Sequence, residues 1–96
     1  MTGAIRSGRV TVAANGKKTV ILGKFSAAHM AMYRFTNGGK DGTAVTINEL
    51  NANGTLTAMH TLAWGDSVDV AVADKSIVVA AGANEAEVVF DFLGLT

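Results

Sequence analysis

The residues with chemical potential are few and scattered. There are two histidines, His29 and His60, and no cysteine. A Ser-His-Asp site can be composed on paper from Ser67, His60 and Asp66 or Asp69. Such a site is defined by the geometry that joins nucleophile, base and orienting acid, not by composition. No Gly-x-Ser-x-Gly elbow occurs. His60 falls between Ala58 and Leu62 on an alternating run. The expected role is an inward histidine at a sheet or subunit interface, with its ring nitrogens hydrogen-bonded. His29 stands at a strand start, where exposure is the default.

Metal chemistry has equally thin support. Asp66 and Asp69, with loop oxygens from Asn37 and Asp41, are hard donors of the kind calcium takes. They do not form a regular Asp-x-Asp-x-Asp loop. Zinc wants more than two histidines. Asn37-Gly38-Gly39 is glycine-rich but lacks the Lys-Ser/Thr ending of a phosphate loop. Asn53-Gly54-Thr55 matches a glycosylation acceptor, although a turn already accounts for Asn53. The expectation is a chain without catalytic residues, cofactor or metal. Its formal net charge is zero, from eight basic and eight acidic residues. That balance argues against electrostatic nucleic-acid binding, which needs clustered Lys and Arg.

The elements that must carry these residues follow from a period of two, the signature of strands with one buried face. Val10, Val12 and Ala14 alternate with Arg9, Thr11 and Ala13. Asn15-Gly16 has the chemistry of a type I′ hairpin turn, with Lys18 to Leu22 as the return strand. Further strands are expected at 29–36, 43–50, 55–63, 67–73, 76–81 and 86–93. Asn37 to Gly42 forms the strongest loop signal, and Asn51 to Gly54 a second Asn-Gly turn. About eight strands at this spacing predict an all-β antiparallel sandwich, jelly-roll-like or immunoglobulin-like.

The predicted core takes Val10, Val12, Val20, Leu22, Tyr33, Phe35, Val45, Ile47, Leu56, Leu62, Val68, Val70, Ile77, Val79, Val88 and Phe90. Residues 9–96 form one domain. Residues 1–8 form a flexible N-terminal arm with Ile5 as its apolar anchor. Met30 and Met32 give the third strand a second apolar face, and Met59 lies opposite His60 in the alternation. Together with Ile5 and Trp64 they are the candidate interface residues. No stretch has the length of a membrane helix or the apolar run of a secretory signal, so the expected location is cytoplasmic or released by lysis.

Charged residues make up 17% of the chain, low for a globular domain. Low charge is also what subunit interfaces show at their centres. From Val10-Thr11-Val12 through Gly65-Asp66-Ser67-Val68 to Val88-Val89-Phe90, the composition and strand rhythm resemble the small β-sandwich decoration, or cement, proteins of tailed-phage virions. The resemblance implies a non-enzymatic homo-oligomer, a trimer by preference, on a virion shell beside the major capsid protein. The alternative is a carbohydrate- or ligand-binding sandwich, with Asn37, Asp41 and Trp64 at the site.

Overall fold

A computed structural model of the chain describes residues 7–20, 30–39, 43–72 and 76–95. The strands are β1 (Ser7–Val12), β2 (Lys17–Val20), β3 (Ala31–Asn37), β4 (Ala44–Leu50), β5 (Leu56–Ala63), β6 (Ser67–Val72), β7 (Ile77–Ala81) and β8 (Ala86–Leu95). They form two four-stranded antiparallel sheets, ordered β1-β8-β3-β6 and β2-β7-β4-β5. The all-β sandwich expected from the alternation is therefore what the chain adopts.

The pairing separates the two connectivities that alternation left open. β1 pairs with β8, β2 with β7, β3 with β6 and β4 with β5. These are nested hairpins, one long antiparallel ribbon folded over on itself. Lateral pairing of β3 with β8 and β4 with β7 zips the ribbon into two sheets. That is the jelly-roll order. Among the described strands, only β4 and β5 follow one another within a sheet.

The first turn consequently differs from expectation. Asn15-Gly16 does not return the chain along β1, since β1 and β2 belong to different sheets. Asn15 alone takes positive φ, 58°. Gly16 N donates to Ala13 O at 2.8 Å, which puts Asn15 at the third position of the turn. A type I′ turn needs positive φ at both central residues; here the chain steps across to the facing sheet. The Asn51–Gly54 connection is a true hairpin, but again not type I′. Gly54 N donates to Asn51 O and Asn51 N to Thr55 O, with Gly54 at φ 87°. This is a three-residue loop closed by a left-handed glycine.

Both sheets turn their apolar sides inward. Val12, Tyr33, Phe35, Val70, Val88 and Phe90 from one face Val20, Val45, Ile47, Leu62, Ile77 and Val79 from the other. Val10 and Val68 pack on this cluster from its margin. Leu56 is half-buried at the hairpin end of β5. Ala31, Val72 and Ala86 join the core; their small or terminal positions hid them in the pattern. Residues 1–6 of the expected arm lie outside the described residues. Ser7 and Gly8 already pair with Asp91 and Phe90. Ile5, Leu22, His29 and Asp41 lie outside the described residues.

Two irregularities matter for function. Ile47 pairs with His60 and Asn48 with Ala58, so Met59 is an extra residue in β5. A bulge of this kind re-aims side chains. Met59 packs against the core, while His60 is exposed. His60 does stand on the inward row Lys18–Val79–Ile47–His60. That row is buried only at its centre, and its two edge residues emerge at the open seam of the sandwich. The inward histidine is thus corrected to an exposed one. In β8, Leu93 has no partner across from β3, and Gly94 beside it has φ 135°.

Candidate functional site

The turns 13–16, 63–66 and 82–85 gather with Gly38 and Gly39 at one end of the sandwich. Hydrogen bonds tie them together. Asn15 N donates to Gly82 O at 2.7 Å, and Gly82 N to Ala44 O at 3.3 Å. Asn37 N donates to Asp66 O at 3.0 Å, and Gly65 N to Asn37 O at 2.9 Å. The opposite end holds the β4–β5 hairpin.

Asn37 is the centre of this end. It is fully buried. Its Nδ2 donates to Leu62 O at 3.1 Å and Thr43 O at 3.4 Å. Its Oδ1 accepts from Gly39 N and Thr43 Oγ1, both at 3.3 Å. Every polar atom of the side chain is used, as burial demands. Asn37 comes from one sheet and Leu62 from the other, so one amide pins the two layers together. Asn37, expected at a ligand loop, is placed in the interior, where its side chain holds Gly39 and Thr43.

Trp64 stands beside it. The turn Ala63–Asp66 closes with Asp66 N donating to Ala63 O at 3.0 Å, with Gly65 at φ 84°. A glycine at the third position meets what a type II turn requires. This lifts Trp64 out of the fold, where it is 52% exposed. Its Nε1–H donates to Gly39 O at 2.6 Å. The indole is therefore held by its polar edge while much of the ring faces outward.

Gly38 and Gly39 also line a groove of about 520 Å³. Gly38, Gly39 and Thr43 make one wall, Asn84 to Glu87 the other, with Thr11 from β1. Both glycines allow a close approach. A Cβ on Gly39 would sit 3.0 Å from Glu87 N, and one on Gly38 would sit 3.3 Å from Val89 Cγ2. Gly38 N donates to Glu87 O at 2.9 Å. Glu87 is ion-paired with Arg9 at 3.4 Å.

The remaining candidates are dispersed. Met30 and Met32 are half-buried. Met32 is on the outer side of β3, between Ala71 and Gly94. Met59 is taken up by the bulge. The parts of the paper triad engage other partners: Ser67 Oγ is 2.8 Å from Thr36 Oγ1, Asp69 binds Arg34, and Asp66 Oδ2 accepts from Ala63 N at 3.3 Å. Among the described residues, no three His, Asp or Glu side chains cluster as metal ligands.

The outward sides of the two sheets differ. Across β1-β8-β3-β6 runs the row Ser7–Asp91–Arg34–Asp69. Arg34 makes a two-point contact with Asp69, Nε to Oδ1 at 2.8 Å and NH2 to Oδ2 at 3.2 Å. The hydrogen bond from Arg34 holds the Asp69 carboxyl below its ordinary value. The outward rows of β2-β7-β4-β5 are Thr19–Val78–Asn48–Ala58 and Lys17–Ala80–Thr46–Thr61. In these two rows the sole charge is Lys17, on an edge strand.

No protein-family model matches the chain, and no curated protein matches it. Among solved structures it is similar to one described as the crystal structure of PirA, with a TM-score of 0.59 and 11% identity over 94% of this chain and 95% of that one. At that identity the likeness is one of fold alone, over nearly the full length of both chains.

Proposed function

We propose that this chain is a non-enzymatic structural protein that works by assembly, a homo-oligomeric component decorating or stabilising a virion shell through subunit contacts. The observation that carries this reading is the outer face of β2-β7-β4-β5. Its two cross-strand rows consist of Thr, Ala, Val and Asn with one peripheral lysine; Val78 and Asn48 at the centre are buried within the single chain, and Thr19, Ala58 and Thr61 at the margins are exposed. An uncharged patch of small residues permits close approach at little desolvation cost, since charged groups are what resist burial most. Depletion of charge is also the compositional mark of interface centres. The facing sheet, with its ion pairs, suits contact with water. The virion setting rests on the resemblance in composition and strand rhythm, and the major capsid protein is the partner it implies.

Size-exclusion chromatography with light scattering tests the assembly. The expected result is a stable oligomer, a trimer by preference. Thr19 and Thr61 are exposed in the single chain, so Thr19→Lys with Thr61→Lys leaves the fold intact. On the proposed interface the two lysines place like charges together and give monomers. Ser7→Lys on the charged face leaves the mass unchanged. A wild-type chain that is monomeric at high concentration overturns the reading.

A further inference from the structure

We infer that Asn53 is a self-modifying site: of the three Asn-Gly pairs in this chain, the fold selects Asn53-Gly54 for spontaneous deamidation to aspartate and isoaspartate. This goes beyond assembly and does not depend on it.

The chain offers three candidates of equal local sequence, Asn15-Gly16, Asn37-Gly38 and Asn53-Gly54. The chemistry is the same at each. The glycine nitrogen attacks Cγ of the preceding asparagine, and the missing Cβ lets it approach. An N–Cγ bond forms, the Cγ–Nδ2 bond breaks, and ammonia leaves with the glycine amide proton. Water then opens the cyclic imide. Cleavage at Cγ gives aspartate, and cleavage at the backbone carbonyl gives isoaspartate. The reaction needs a side chain free to turn, a glycine nitrogen in reach, and support for the negative charge that builds on Oδ1.

Two of the three pairs are held back by their surroundings. Asn37 is fully buried, and both ends of its amide are bound. Gly38 N is bound as well, to Glu87 O at 2.9 Å. Asn15 is exposed, but the peptide groups around it are tied to the neighbouring turn. Asn15 N donates to Gly82 O at 2.7 Å, Gly16 N to Ala13 O at 2.8 Å, and Gly16 O accepts from Ala81 N at 2.9 Å. Turning the Gly16 nitrogen toward Cγ gives up bonds that join separate parts of the chain.

Asn53 is exposed at the tip of the β4–β5 hairpin. Gly54 N is bound only within the loop, to Asn51 O at 2.9 Å, and a Cβ on Gly54 would meet open space. Asn53 Oδ1 accepts from Thr55 N at 3.1 Å and from Thr55 Oγ1 at 2.6 Å. The first of these bonds closes a ring of atoms that includes both Gly54 N and Cγ, which keeps nucleophile and target together. The two donors also meet the oxygen on which charge develops, the arrangement of an oxyanion hole.

The imide nitrogen carries no hydrogen, so the Gly54–Asn51 bond is lost while the imide lasts. Isoaspartate then adds one atom to the backbone of a short loop, and either product adds a negative charge. The conversion therefore ages the β4–β5 hairpin.

The full chain is incubated at mildly alkaline pH, where more of the amide nitrogen is deprotonated. Mass spectrometry of its proteolytic peptides follows each pair over weeks, with isoaspartate resolved. In the folded chain Asn53 is expected to convert first, Asn15 several-fold more slowly, and Asn37 to stay intact. In concentrated urea the three rates converge. Thr55→Val, at an exposed position, removes the hydroxyl donor and slows Asn53 several-fold, while the Asn15 rate stays the same and reports that the fold is kept. Thr55→Ser restores the Asn53 rate. Three outcomes overturn the proposal: no conversion at Asn53, or Asn15 or Asn37 ahead of it, in the folded chain; the same unequal order in urea; or an unchanged ratio of Asn53 to Asn15 in Thr55→Val.

Discussion

The two sheets share one core but are built from different side chains, inside and out. β1-β8-β3-β6 brings rings to the interior: Tyr33 lies 5.4 Å from Phe92 and 6.5 Å from Phe90, and Phe35 lies 6.3 Å from Phe90. Its outer face carries Arg9, Glu87, Asp91, Arg34 and Asp69. β2-β7-β4-β5 meets the rings with Val20, Val45, Ile47, Leu62, Ile77 and Val79, and its outer rows are nearly free of charge. A layer with heavy rings inside and ions outside is finished: it has buried its bulk and solvated the rest. A layer with light aliphatics inside and uncharged residues outside, buried at Val78 and Asn48, keeps Thr19, Ala58 and Thr61 as uncharged exposed margins that cost little to cover.

The interior half of this contrast is testable by truncation. Phe35→Ala in the ring-bearing sheet is expected to cost about 3–5 kcal/mol, a cavity no neighbour can fill. Val79→Ala, equally buried in the other sheet, removes less volume and should cost roughly 1–3 kcal/mol on the same scale. Urea denaturation of both variants measures the gap, and equal losses would break the contrast.

A smaller effect is expected at Gly8. It pairs with Phe90, and a Cβ there would come within 2.6 Å of Phe90 Cζ. The ring occupies the space a side chain would need. Gly8→Ala should therefore cost roughly 1–2 kcal/mol by overpacking, read from the shift in thermal midpoint. A neutral result would mean that Phe90 can swing away and that the ring layer is looser than its contacts imply.

The smallest effect concerns the charged exterior. Asp69 is held below its ordinary value, chiefly by the hydrogen bond from Arg34. A carboxyl with a depressed folded value contributes stability that is complete above its unfolded value, near 3.9 for Asp. That contribution is lost as pH falls through the lower, folded value. Asp69→Asn should flatten this part of the acid limb and change little at neutral pH, since the pair is exposed. Nuclear magnetic resonance titration of the carboxyl tests the direction: a value at or above the usual one would refute it.

Much of this fold was legible in the alternation, because burial on one side of a strand leaves a period of two. The strands from 29 to 93 fell within a few residues of their observed bounds. The signal failed where pairing is not local. Asn15-Gly16 has hairpin chemistry, yet which strand becomes its neighbour depends on β7 and β8, far along the chain. His60 stood on the correct inward row, but a linear pattern cannot show that β5 is an edge strand with a bulge at Met59. Asn37 looked like a loop residue, and nothing near it in sequence revealed that Leu62 O and Thr43 would close around its amide. Trp64 was singled out from its turn position alone; its tether to Gly39 needed the fold.

The nesting of the hairpins also sets an order in time. Among the paired strands only β4 and β5 are joined by a short loop, so they alone can pair without first closing a long stretch of chain, and each enclosing pair closes a longer loop than the one inside it. β1 is made first and paired last, because its partner is β8. While the chain is being synthesised, the edge of β1 stays open until β8 emerges. Such ribbons fold slowly for their size, and the exposed interval is when strands of neighbouring chains can exchange.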